Sequence, residues 1–204
     1  MGTKLQTRKR KPYVLGLSIG TFWLIAAGAG GAFFAIVEMA NARTLLFVVL
    51  VIAGALLGTS IRYIMSALKL PSEPSPQDRR IGPRFALIFI LEGVAIGLVS
   101  SACYFVGHRS WILPLSLIIV GIHFMPLAKL FGVPRYMTLG WLFCIVSVLT
   151  LVLVPAHSHV GTYFAQYVYS SLGCAASAWL ISVGNLLELR RVMQNEESKH
   201  SFDR

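Results

Sequence analysis

Two ionisable side chains, Glu92 and His123, stand deep inside apolar runs of this chain. A charge at the centre of a lipid-embedded helix costs roughly 2.5–3.5 kcal/mol on insertion scales, so such groups are functional candidates. A turn near His108-Arg109 makes a hairpin of the two runs that carry them, with Glu92 17 residues before Arg109 and His123 14 after it. At 1.5 Å per residue, that difference of three sets both within roughly 4–5 Å of one depth. Arg62 lies six residues inside the end of the preceding run, at comparable depth. Glu92 can therefore pair with His123, with Arg62, or with both, depending on helix faces that the sequence does not define. Beside His123, Pro126 lacks an N–H and frees the carbonyl of Ile122, while Gly121 leaves room next to it. A carboxylate, an imidazole and a free carbonyl at one depth can bind a cation or small solute, or relay a proton. The same residues also read as a buried polar pair that orders a helix bundle, a link worth roughly 1 kcal/mol or less between membrane helices.

Other residues with chemical capacity are fewer. His157 and His159 flank one residue in a connection, and His108 stands in another. Three imidazoles can bind a transition metal, although no carboxylate or Cys neighbours this set. Cys103, Cys144 and Cys174 each sit singly inside a run and read as small buried apolar residues. Phosphate-loop, nucleophile-elbow, zincin and c-type haem signatures are missing from the sequence. No catalytic residue and no cofactor is therefore assigned, and an enzyme is the less favoured class. Glu38 and Asn41 close the first run, and Asn185 and Glu188 the last, with Glu188 and Arg191 spaced to pair on a helix surface.

The elements that must position these residues are six long apolar runs, 13–37, 44–68, 84–107, 111–130, 136–154 and 163–187. Crossing a hydrocarbon core of ~30 Å takes ~20 mostly apolar residues in a helix. The runs meet that length, or nearly so for 136–154, so the expected fold is all-α, a polytopic transmembrane bundle of six helices. A composition 56% hydrophobic and 13% charged, with mean hydropathy +0.71, departs from the roughly 25% charged of soluble domains. A net charge of +10 can signal nucleic acid, but its placement argues against that partner. Sixteen of the 18 basic residues lie in the termini and in alternate connections, leaving Arg43 and Arg109 on the other side. By the positive-inside rule both termini are cytoplasmic. Arg8, Lys9, Arg10 and Lys11 form a cluster suited to anionic lipid headgroups.

The first run also carries a basic start and an Ala27-Gly28-Ala29 pattern like a signal-peptide cleavage site. It continues apolar beyond that pattern, so an uncleaved helix is expected. The chain divides into a basic N-terminus (1–12), a membrane domain (13–189) and a polar tail (190–204) expected to fray. A loop at 70–83 holds four prolines and reads as an extended linker. An inverted three-plus-three repeat is geometrically open, hinted at by Gly28, Gly30 and Gly31 in the first run and by Gly121 and Pro126 in the fourth. Gly16/Gly20, Gly54/Gly58, Gly93/Gly97 and Gly173/Ser177 are small-xxx-small pairs, expected to pack helices within the bundle, with homo-oligomer contact as their other use.

Segment 119–136, Ile-Val-Gly-Ile-His-Phe-Met-Pro-Leu-Ala-Lys-Leu-Phe-Gly-Val-Pro-Arg-Tyr, together with Glu92, resembles a stretch of small bacterial integral membrane proteins of uncharacterised function. The resemblance implies a bacterial inner membrane and no activity. Two functions follow from the residues: a small transporter or permease for an ion or small solute, or a non-catalytic scaffold or accessory subunit.

Overall fold

The computed structural model describes residues 10–37, 42–68 and 78–202. Six helices dominate them: α1 (Arg10–Ile36), α2 (Ala42–Leu68), α3 (Asp78–Val106), α4 (Ile112–Phe131), α5 (Pro134–Leu153) and α6 (Ala165–Phe202). All six are long and apolar enough to span a bilayer. Phe47, Ile90, Leu98, Val152 and Leu180, on four different helices, are 62–74% exposed, an outer surface suited to lipid. A 3-10 turn (Arg109–Trp111) joins α3 to α4. A two-stranded antiparallel hairpin, β1 (His159–Val160) and β2 (Tyr163–Phe164), leads into α6. Gly132, at φ +67°, ends α4 with the following Val133 N–H bonded back to the Ala128 carbonyl, and Pro134 then opens α5.

Two boundaries differ from expectation. Helix α3 begins at Asp78 and contains Pro83, which had been placed in the linker. The carbonyl that Pro83 leaves unpaired belongs to the first turn, where a missing bond is cheapest. The rest of that loop, 70–77, lies outside the described residues, as do Glu38, Asn41 and the side chains of Arg8, Lys9, Arg10 and Lys11. Helix α6 continues past residue 189 to Phe202, through the segment set apart as a tail. Residues 190–202 contain neither Gly nor Pro and are rich in Arg, Met, Gln, Glu and Lys, which favour helix.

The most extensive packing is α1 against α6, followed by α4 against α5; α5 also packs on α6. Helix α2 leans on α1, and α3 on α4, giving the lateral order α2–α1–α6–α5–α4–α3. Leu17 and Ile25 of α1, Leu139 of α5, and Ala178 and Leu189 of α6 are almost completely enclosed in the main core. Each flank helix buries little: Ala53, Ser60 and Ala67 on α2, and Cys103 among the described side chains of α3. An inverted three-plus-three repeat would require α2 to pack on α3 as α5 packs on α6. The structure instead separates α2 and α3 to opposite flanks.

Glycine use divides along the same line. A Cβ on Gly121 would meet the Gly140 carbonyl at 2.7 Å, and one on Gly140 would meet the Gly121 carbonyl at 2.5 Å. Backbone therefore lies against backbone between α4 and α5. Gly28 admits the Trp179 ring, whose Nε1 donates to the Ile25 carbonyl at 3.3 Å, and Gly173 admits Val146. Among the described residues, a Cβ on Gly54, Gly58, Gly93 or Gly97 would meet nothing within 4 Å. These two pairs, expected to pack within the bundle, face outward.

Candidate functional site

On α3, the less exposed residues Ile88, Glu92, Ala95, Val99 and Cys103 recur every three or four positions, forming the face that meets α4. His123 on α4 faces them. Its Nδ1 lies 3.1 Å from Glu92 Oε2, with the side chains only 6% and 13% exposed. That nitrogen is nevertheless in no well-directed hydrogen bond. Distance makes it an electrostatic contact, and misdirection denies it full hydrogen-bond strength. The ring's other polar neighbour is the Ile88 backbone, one turn from Glu92. Phe89 packs edge-on against the imidazole at 4.8 Å, and Phe124 does so at 5.8 Å. A single proton on either group leaves this enclosed pair electrically neutral, which suits a low-dielectric setting.

The rest of the expected constellation is elsewhere. Arg62 is exposed on α2, on the side of that helix away from the buried Ala53, Ser60 and Ala67, and α2 occupies the opposite flank from α3. Arg62 therefore stands on a helix face and a flank that keep it from Glu92 and His123. The space beside Gly121 is occupied by α5 backbone, so it is closed to an ion. Among the described residues, no group of three or more His, Cys, Asp or Glu side chains is placed to hold a metal ion. His108 stacks on Trp111 at 4.6 Å. His159 Nδ1 lies 2.9 Å from the His157 carbonyl, and its ring packs on Phe164 at 4.8 Å.

A second polar layer lies in the interior, near the end of the bundle where α1 begins. Tyr13 donates its hydroxyl to Glu188 Oε1 at 2.5 Å, while Arg135 Nη1 lies 2.5 Å from Glu188 Oε2. Arg135 Nη1 also donates to the Gly184 carbonyl at 2.9 Å. One carboxylate thus ties α1 and α5 to α6, instead of pairing with Arg191 on its own helix. Deeper in, Tyr136 crosses from α5 to α1, where a Cβ on Gly20 would overlap its hydroxyl. Among the described residues that hydroxyl is buried without a partner, and so are both amide atoms of Asn185, which has no exposure. Toward the far end, among the described residues, Ser170 Oγ and Gln166 Oε1 are also buried and unpaired.

Sequence reasoning missed this layer because each member has an ordinary reading at a membrane boundary: Tyr as interface aromatic, Asn and Glu as the close of a span. A signal was present in α6. Helix-favouring residues continue past Leu189, which makes Asn185 and Glu188 interior to a helix and not its end. Compared with protein-family models, with curated proteins and with solved structures, the chain matches none.

Proposed function

We propose that this integral membrane protein is a small permease for an ion or small solute, with Glu92 and His123 as its proton- or ion-responsive element. The supporting observation is the 3.1 Å approach of a carboxylate to an imidazole inside two apolar spans. Such a pair can exchange a proton or a monovalent cation at lower cost than an isolated buried charge. The one-sided distribution of basic residues supports an N-in, C-in orientation, and the resemblance of segment 119–136 implies a bacterial inner membrane.

The test is flux into proteoliposomes loaded with a pH-sensitive dye, under an imposed pH gradient with Na⁺ or K⁺ outside. Protein-dependent flux is expected in wild type, falling at least tenfold in a Glu92→Gln/His123→Ala double variant. Flux that persists in the double variant would remove the pair from the mechanism.

A second reading, an accessory or scaffold subunit, is favoured by the outward glycines of α2 and α3. It predicts no flux and a partner protein co-purifying in stoichiometric amount.

A further inference from the structure

We propose that the interior layer between α1, α5 and α6 is a binding site for a small uncharged solute that both donates and accepts hydrogen bonds. Asn185 and Tyr136 are its ligating groups. The site is distinct from Glu92 and His123, which lie on the other side of α4. Phe124 stands between them, 5.8 Å from the His123 ring and 6.1 Å from the Tyr136 ring.

Unpaired polar atoms carry the argument. Asn185 Oδ1 needs a donor, Asn185 Nδ2 needs an acceptor, and the Tyr136 hydroxyl can serve as either. Buried polar groups are ordinarily paired, and the lipid around a membrane bundle offers no substitute for water. Nearby hydroxyls do not supply the missing partners. Ser18, Thr21 and Ser182 each donate to a carbonyl four residues back on their own helices. Both Glu188 oxygens are engaged by Tyr13 and Arg135.

Placement brings the two groups together. Helices α1 and α6 run antiparallel, with Ile25 beside Trp179 and Tyr13 beside Glu188, so Gly20 falls between those levels on α6. The Tyr136 hydroxyl reaches α1 at Gly20, while Arg135, its neighbour in sequence, bonds the carbonyl next to Asn185. Asn185 shares a stripe of α6 with Cys174, Ala178 and Ile181, all buried in the main core. The side chain therefore faces the interior that Tyr136 crosses.

Charge then selects the ligand. Arg135 and Glu188 neutralise each other, and Asn185 and Tyr136 bring no charge, so an ion entering the layer would find no counter-charge. A neutral molecule with an amide-like donor and acceptor satisfies Asn185 on both sides. Buried Leu139 and Phe143 screen the layer from the far end. Access comes from the near end, where Arg135 and Glu188 are 38% and 33% exposed.

The test uses the full chain in nanodiscs, with acetamide as probe and acetate and methylammonium as charged controls of similar size. Thermal unfolding of wild type is expected to rise by about 5–10 °C at a hundred times Kd for acetamide, and not for either ion. Tyr136→Phe, which removes one oxygen, and Asn185→Leu should each lose that rise. An unshifted wild type, an equal shift with either ion, or an undiminished acetamide shift in both variants would overturn the proposal. So would variants more stable than wild type without solute, because that outcome means a dry layer of unpaired atoms. If Asn185→Leu fails to fold, Tyr136→Phe decides alone.

Discussion

The flank between α3 and α4 and the interior between α1, α5 and α6 solve the same problem differently. At the flank, two ionisable groups meet across a two-helix contact whose outer side is lipid-facing, beside glycines that touch nothing. In the interior, helices approach backbone to backbone, and the deepest polar groups are neutral. Charge in this protein therefore does not mark the centre of the bundle. It marks a peripheral helix whose apolar faces offer little packing of their own, and a border where the starts of α1 and α5 are tied to α6. Glu92 and His123, which the sequence places deep inside two apolar runs, meet at the edge of the bundle.

The sharpest way to break this contrast is glycine substitution. Gly140→Ala forces α4 and α5 apart and should destabilise the protein by about 1–3 kcal/mol, measured by thermal unfolding in nanodiscs. A tolerated Gly140→Ala would mean the two helices are not in backbone contact. Next is the charged pair. A double-mutant cycle on Glu92→Gln and His123→Ala should give a coupling of about 1 kcal/mol, the scale of polar links between membrane helices. Zero coupling would separate the two residues energetically despite their proximity. Smallest is the effect of Gly54→Ala or Gly93→Ala, which should stay within about 0.5 kcal/mol for folding, since both positions are open. A larger loss, together with crosslinked protomers from Gly54→Cys or Gly93→Cys, would show those faces covered by a second copy and favour the scaffold reading.

Much of the fold was legible because length and apolarity suffice to define a membrane span, and the six runs correspond to the six helices. The Glu92–His123 contact was legible for a related reason. A tight turn at 107–111 fixes the vertical register of one hairpin, so counting residues converts directly to depth. Arg62 shows the limit of that method, since depth says nothing about rotation or about which helices are neighbours. The Tyr13–Glu188 bond joins residues 175 apart in sequence, and no local rule reaches across such a separation. Asn185 and Tyr136 carry no charge to betray their burial. The start of α3 was obscured by reading Pro83 as a breaker when its position in the helix makes it tolerable.

Helix α6 has 38 residues, about 57 Å at helical rise, against a hydrocarbon core of ~30 Å. Pivoted at Asn185, among the interior polar groups, it is a lever with one arm of 20 residues running back to Ala165 and one of 17 running on to Phe202. Phe202 stands 17 residues beyond Asn185, about 25 Å away. A tilt of only about 10° pivoting at Asn185 would swing that tip by roughly 4 Å. Whatever meets the end of α6 is thus mechanically connected to a layer in the membrane that it never touches.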